Sequence, residues 1–145
     1  MIIGTGTDLC EISRIAASLE RFGDRFTERC FTDRERARAE RKKAKRADRY
    51  AQMFAAKEAC SKALGTGLRE GVFWRDMEVV PLSSGKPRLI LHGGAKARAA
   101  YLMPPGYAPL LDVSLTDEAG LAHAMVILSA VDEALADLAT TYRER

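Results

Sequence analysis

Residues 54–67 read FAAKEACSKALGTG. Small and apolar side chains fill most of the run, no β-branched residue or proline interrupts it before Leu64, and Gly65 and Gly67 supply a C-terminal stop. A helix is therefore expected from about Lys45 to Leu64. Because it is apolar nearly all round, it is expected to be buried, which leaves Lys57, Glu58 and Lys62 to be explained. Glu58 and Lys62 stand four apart and would be neighbours on a helix. Two readings are open: a surface ion pair contributing about 0.2–0.5 kcal/mol, or charges kept inside because a ligand needs them.

Outward from this helix the periodicity changes twice. Met1, Ile2 and Ile3, followed by GTGTD, suggest a short buried strand entering a glycine-containing loop. From about Glu11 to Phe22, Ile12, Ile15, Ala16 and Leu19 recur at helical spacing. Arg14 and Arg21 are seven apart and Arg25 four further on, so a continuing helix would carry all three on one face, although Gly23 is expected to break it. Thr32 and Asp33 can cap a short charged helix that follows.

Beyond Gly67 the pattern turns extended. MEVVPL and PRLILH read as strands joined by SSGK, and AKARAAYLM as a short helix between Gly93–Gly94 and Pro104–Pro105. LLDVSLTD and LAHAMVILSA read as two more strands around a turn at 117–120. In the tail, Val131, Leu135, Leu138 and Tyr142 fall at helical spacing. The expected fold class is α+β: an N-terminal strand, helices, then antiparallel strands with a crossing helix.

At 145 residues, with 47% hydrophobic and 30% charged side chains, the chain is expected to form one soluble domain. MIIGTGTDLC has neither the basic start of a signal peptide nor the length of a membrane span, so a cytoplasmic protein without a membrane partner is expected. Cys10, Cys30 and Cys60 stand singly, which predicts reduced, packed thiols and no zinc site. His92 and His123 are far apart, so a bound metal would take oxygen ligands, as magnesium does.

The net charge is only +3, yet nine lysines and arginines crowd residues 34–49. With Glu35 and Glu40 interspersed, this run reads as a solvated helical face or as a surface for an acidic protein. The absence of aromatics between positions 34 and 49 argues against nucleic acid.

Asp8 has two readings as well. With Glu11 three residues later it fits a capping box at the first helix. Alternatively Asp8 and Glu58 meet in space as two oxygen ligands for magnesium on a phosphorylated substrate, with Lys62 neutralising phosphate charge. SGKP is compatible with a phosphate-binding loop carrying Lys86, and equally with a plain hairpin turn. Neither GxGxxG nor GxxxxGK[ST] is present, and Ser114 lacks the surroundings of a nucleophile.

Taken in order, GTDLCEISRI, FAAKEACSKALGTG, SGKPRL and DVSLTDEAGLAHAMVIL resemble the holo-(acyl carrier protein) synthases, the short phosphopantetheinyl transferases, over residues 1 to about 130. The resemblance implies transfer of the 4′-phosphopantetheine arm of coenzyme A to a serine of acyl carrier protein, with release of adenosine 3′,5′-bisphosphate. It implies Asp8 and Glu58 as magnesium ligands and Lys62 as a contact to coenzyme A phosphates. The serine hydroxyl also needs a base, and Glu58 is expected to serve, directly or through a metal-bound water. It also implies a trimer with coenzyme A between subunits, Gly85, Lys86 and Pro87 approaching from a neighbour, and a carrier-protein surface at Arg14, Arg21 and Arg25.

Met53 stands where many members have arginine, and Asp117 where several have histidine. Residues 131–145 form an extension past the usual end, so the expected organisation is a transferase domain over 1–130 followed by a helical tail. The competing expectation is a noncatalytic module whose basic helices bind an acidic protein or nucleic acid.

Overall fold

The computed structural model describes residues 1–145. Helix α4, Arg46–Ala63, lies across one face of a three-stranded antiparallel sheet of order β1-β5-β4, formed by Ile2–Glu11, Leu121–Asp132 and Tyr107–Glu118. Alternate residues of β5, from Ala122 through Ala124, Val126 and Leu128 to Ala130, are buried, as a strand with one face on the core requires. Opposite them α4 presents Ala55, Ala56, Ala59 and Ala63, all buried. Alanine on the helix and small residues on the strands let the two layers approach closely. The expected long helix is thus confirmed within one residue at each end.

The remaining elements wrap this sandwich. Helix α1 (Ile12–Phe22) packs Ile15 and Leu19 inward, and Gly23, at φ 54°, ends it before α2 (Asp24–Cys30). Helix α3 (Asp33–Ala39) opens on a capping box in which Thr32 accepts from Glu35 N and Glu35 accepts from Thr32 N. Strands β2 (Met77–Pro81) and β3 (Pro87–Leu91) form a separate hairpin, and α5 (Gly93–Tyr101) leads from it to β4. All three cysteines are free and buried, as their isolation in sequence predicts.

Three expectations need correction. The first strand does not end at the GTGTD segment but runs to Glu11, because its glycines and threonines pair throughout with β5. Asp8 is therefore inside the strand, opposite Ala124, and caps nothing. The first amide of α1, on Ile12, instead donates to the Gly120 carbonyl at 2.9 Å, so the turn between β4 and β5 does the work expected of a capping side chain.

The tail differs too. Val131 remains in β5, and the final helix α6 spans Ala136–Arg143 with no buried residue. Its helical spacing does not mark a core-facing stripe: Leu135, Leu138 and Tyr142 are all exposed. Polar contacts hold the helix down, among them Arg88 Nη1 to Glu144 Oε1 at 2.7 Å and an Arg143–Asp112 ion pair.

Candidate active site

Two glycines place the site. A Cβ on Gly6 would lie 1.8 Å from the Ala59 carbonyl oxygen, and one on Gly4 2.0 Å from that of Ala63, so β1 runs with its backbone directly against α4. Two residues past Gly6, on the same face of the strand, Asp8 consequently arrives beside the turn of α4 that carries Glu58 and Lys62. Lys62 Nζ lies 3.2 Å from Asp8 Oδ1 and donates to the Thr7 carbonyl at 2.9 Å. Of the two readings of Glu58 and Lys62, the surface ion pair between them does not form, and Lys62 pairs with Asp8 instead.

Asp8 and Glu58 line one cavity of about 290 Å³, together with Cys10, Arg14, Phe26 and Phe54. Burial raises the Glu58 pKa above the ordinary glutamate value and the Asp8 charge raises it further, while Lys62 acts in the opposite sense. Burial, followed by the Asp8 charge, likewise pushes the Cys10 thiol up to about 11, which keeps it protonated and unreactive at neutral pH.

No group of three or more His, Cys, Asp or Glu residues forms a closed metal cage. Two carboxylates facing one cleft are instead the donor set that magnesium uses when substrate phosphates and water complete its shell. The like-charge repulsion evident at Glu58 is what a divalent cation would relieve. The residues therefore fit magnesium held jointly by Asp8, Glu58 and a phosphorylated substrate.

The arginines divide. Arg14 projects from α1 into this cleft, Arg21 sits near the end of the same helix with its guanidinium 5.1 Å from the Phe22 ring centre, and all of these side chains are exposed. Arg25 lies beyond the break at Gly23, on α2, so the single helical face suggested by the spacing is interrupted.

Gly85, Lys86 and Pro87 do not line the carboxylate cleft. Gly85, at φ 87°, turns the β2–β3 hairpin, and with Pro87 it borders a second cavity of about 440 Å³. That cavity is also lined by Arg38, Arg41, Arg49, Gln52 and Met53. Lys86 points elsewhere and donates to the Arg143 carbonyl at 2.8 Å.

Sequence reading missed this arginine cavity. Its members come from α3, the following turn and α4, so no periodicity joins them. The same basic run is less available to outside partners than it looked: Arg34 binds Glu78, Arg36 binds Glu28 and Arg46 binds Glu40. Asp117 accepts from Gln52 at 3.0 Å, which ties the end of β4 to α4.

Residues 4–108 match the model of the 4′-phosphopantetheinyl transferase superfamily, and the chain belongs to that family. It is 63% identical over 131 residues to the holo-[acyl-carrier-protein] synthase of Methylobacterium sp. (strain 4-46), a match spanning 90% of this chain and 96% of that one.

Solved structures agree. The holo-[acyl-carrier-protein] synthase of Neisseria meningitidis superposes with a TM-score of 0.77 at 31% identity, over 89% of this chain and 99% of its own. That of Helicobacter pylori, determined in complex with coenzyme A, gives 0.73 at 30% identity over 86% and 99%.

Proposed function

We propose that the protein transfers the 4′-phosphopantetheine arm of coenzyme A to a serine hydroxyl of acyl carrier protein, releasing adenosine 3′,5′-bisphosphate and converting apo to holo carrier for fatty acid biosynthesis. The observation that carries this reading is the meeting of Asp8, Glu58 and Lys62 at the contact of β1 with α4.

In the reaction a bond forms between the serine oxygen and the phosphorus that bears the pantetheine arm, and the bond from that phosphorus to the bisphosphate breaks. The hydroxyl proton goes to a base. Glu58 is the proposed base, acting directly or through a metal-bound water, because it stands in the cleft beside Asp8. Asp8 and Glu58 would hold magnesium, which supplies charge neutralisation on the pyrophosphate.

Lys62 is half exposed, and its bonds to Asp8 at 3.2 Å and to the Thr7 carbonyl at 2.9 Å leave one ammonium hydrogen for a phosphate oxygen. Positioning and charge neutralisation account for most of the catalysis in such transfers. The cavity of Arg38, Arg41 and Arg49 gives a second anion-binding surface, next to the Gly85 and Pro87 turn. Arg49 stands one turn before Met53 on that wall and supplies a positive charge near the position where other members carry arginine.

The separation of the turn from the carboxylate cleft supports an assembly in which Gly85, Lys86 and Pro87 serve a neighbour's ligand. The outer sheet face supports it as well, since Leu9, Leu121 and Met125 are exposed there at 64%, 38% and 41%, apolar surface that a homotrimer would cover. Arg14, which lines the cleft, and Arg21 and Arg25, exposed on α1 and α2, present positive charge for the acidic carrier protein. The expected boundary at residue 130 moves to the end of β5, so residues 133–145 are read as an appendage to the transferase domain. No helix is long and apolar enough to cross a membrane, and the cytoplasm is the proposed location.

Replacing Asp8 by Ala or Glu58 by Gln tests the reading: transfer is abolished while circular dichroism and thermal unfolding stay close to those of the parent. Full transfer by both variants would remove the site assignment.

A further inference from the structure

Lys57 is the one charged residue of FAAKEACSKALGTG that the reaction leaves unused. It is also the most deeply placed, with both Lys57 and Glu35 at 0% exposure. Its ammonium donates to Glu35 Oε1 at 2.8 Å, to the Trp74 carbonyl at 2.9 Å and to the Met77 carbonyl at 2.7 Å, which uses all three hydrogens. Glu35 accepts in addition from Thr32 N at 2.8 Å and Val79 N at 2.9 Å. One ion pair thus joins α4 to the start of α3, to the turn at Trp74–Asp76 and to β2.

A buried ion pair adds little stability over an apolar replacement of similar volume, because desolvation offsets the attraction. What this pair supplies is geometry, and two aromatic paths carry that geometry to the carboxylate cleft. Along one, the residue whose carbonyl binds Lys57 stacks its indole on Phe54, with ring centres 4.5 Å apart. Along the other, the Lys57 ammonium lies 5.5 Å from the Phe31 ring centre, Phe31 meets Phe26 edge-on at 5.8 Å, and Phe26 packs on Phe54 at 6.2 Å. Phe26 and Phe54 line the same cavity as Asp8 and Glu58.

We propose that Lys57 and Glu35 are a positioning pair, which holds the aromatic wall of the carboxylate cleft and the register of α4, so that Glu58, the next residue, is fixed to within a fraction of an ångström. The pair touches no substrate. The inference rests on the transferase reading of that cleft, and the parent protein assayed alongside checks that reading separately.

The test is the double variant Lys57→Met/Glu35→Gln, which removes both charges and keeps the volumes and one amide acceptor. Its denaturation midpoint is expected to fall, because the Trp74 and Met77 carbonyls and one backbone amide lose their partners, while the variant stays folded at the assay temperature. Turnover is expected to fall by about tenfold or more, while KM for coenzyme A stays within about twofold, since a small misplacement at the reacting centre costs rate before it costs binding. Trp74, the only tryptophan, reports the wall directly, and its emission is expected to shift to longer wavelength.

A folded double variant with parental turnover would overturn the proposal, as would one whose loss lies wholly in KM. If the double variant fails to fold, Trp74→Leu decides the matter. It keeps the carbonyl that binds Lys57 but removes the stack on Phe54, and it is expected to show the same loss of turnover at unchanged KM. Parental turnover in Trp74→Leu would then overturn the proposal.

Discussion

Lys62 reaches across from α4 to Asp8 on β1, at 3.2 Å, and leaves Glu58, its neighbour one turn back on the same helix, without an ion-pair partner. One carboxylate of the cleft is thus paired with a cation and the other is not. Replacing Lys62 by Ala removes the counter-charge from Asp8 and from the incoming phosphate together. It is expected to lower kcat/KM for coenzyme A by about 100-fold, the usual scale for losing one charge-stabilising group. Steady-state kinetics at saturating carrier protein measures this.

Gly6→Ala tests the strand–helix contact that creates the site. The new Cβ would sit 1.8 Å from a backbone oxygen of α4, which cannot rotate away, so β1 must lift from the helix. The expected cost is about 2–3 kcal/mol in stability, as for other overpacked contacts, together with loss of transfer. Chemical denaturation and a transfer assay on the same preparation would show both effects. A stable, active variant would contradict the close approach.

Acid sensitivity is expected to originate in part at Glu78. Burial pushes its pKa up, but hydrogen bonds from Arg34, Thr32 and His92 outweigh burial and hold it down to about 2, against 4.5 for an ordinary glutamate. A pKa lowered by folding contributes stability above the unfolded value and loses it as pH falls toward the folded one, so the loss is confined to the window from about 4.5 down to about 2. Glu78→Gln is expected to be less stable at pH 7 by about 2 kcal/mol, after allowance for the exposure of Arg34, and to show a flatter stability profile below pH 4.5. Urea unfolding at several pH values measures it.

Reversing the charges of Arg14 and Arg21 together is expected to raise KM for carrier protein by about tenfold or more at low salt, with a much smaller change for coenzyme A. The effect should shrink as ionic strength rises. Equal changes in the two Michaelis constants would contradict a carrier-docking role.

Ending the chain at Asp132 removes α6 and its preceding turn, neither of which buries a residue. The shortened protein is expected to unfold at nearly the parental denaturant concentration and to retain transfer. Loss of folding would show that the polar contacts of Arg143 and Glu144 contribute more than exposed ion pairs normally do.

The long helix, the hairpin strands and the break at Gly23 were legible because each depends on local patterning. Asp8 was legible as a candidate site residue but not as part of a strand, since the glycines before it are weak strand signals and only the contact with α4 explains them. The pairing of Lys62 with Asp8 was hidden by the simpler i,i+4 pairing with Glu58, which sequence spacing favours. Lys57 drew no attention beyond its charge, because its partners Glu35, Trp74 and Met77 lie 17 to 22 residues away and on three different elements. The exposed Leu135, Leu138 and Tyr142 show the converse: helical spacing without anything to pack against.

The central claim concerns the chemistry at the Asp8–Glu58 cleft, and intact-protein mass spectrometry of apo acyl carrier protein tests it most directly. After incubation with coenzyme A, magnesium and this protein, the carrier is predicted to gain the mass of one phosphopantetheine arm. The gain is predicted to vanish when magnesium is chelated and when Glu58→Gln replaces the parent. An unmodified carrier with the parent protein, or a gain that persists in both controls, would contradict the account.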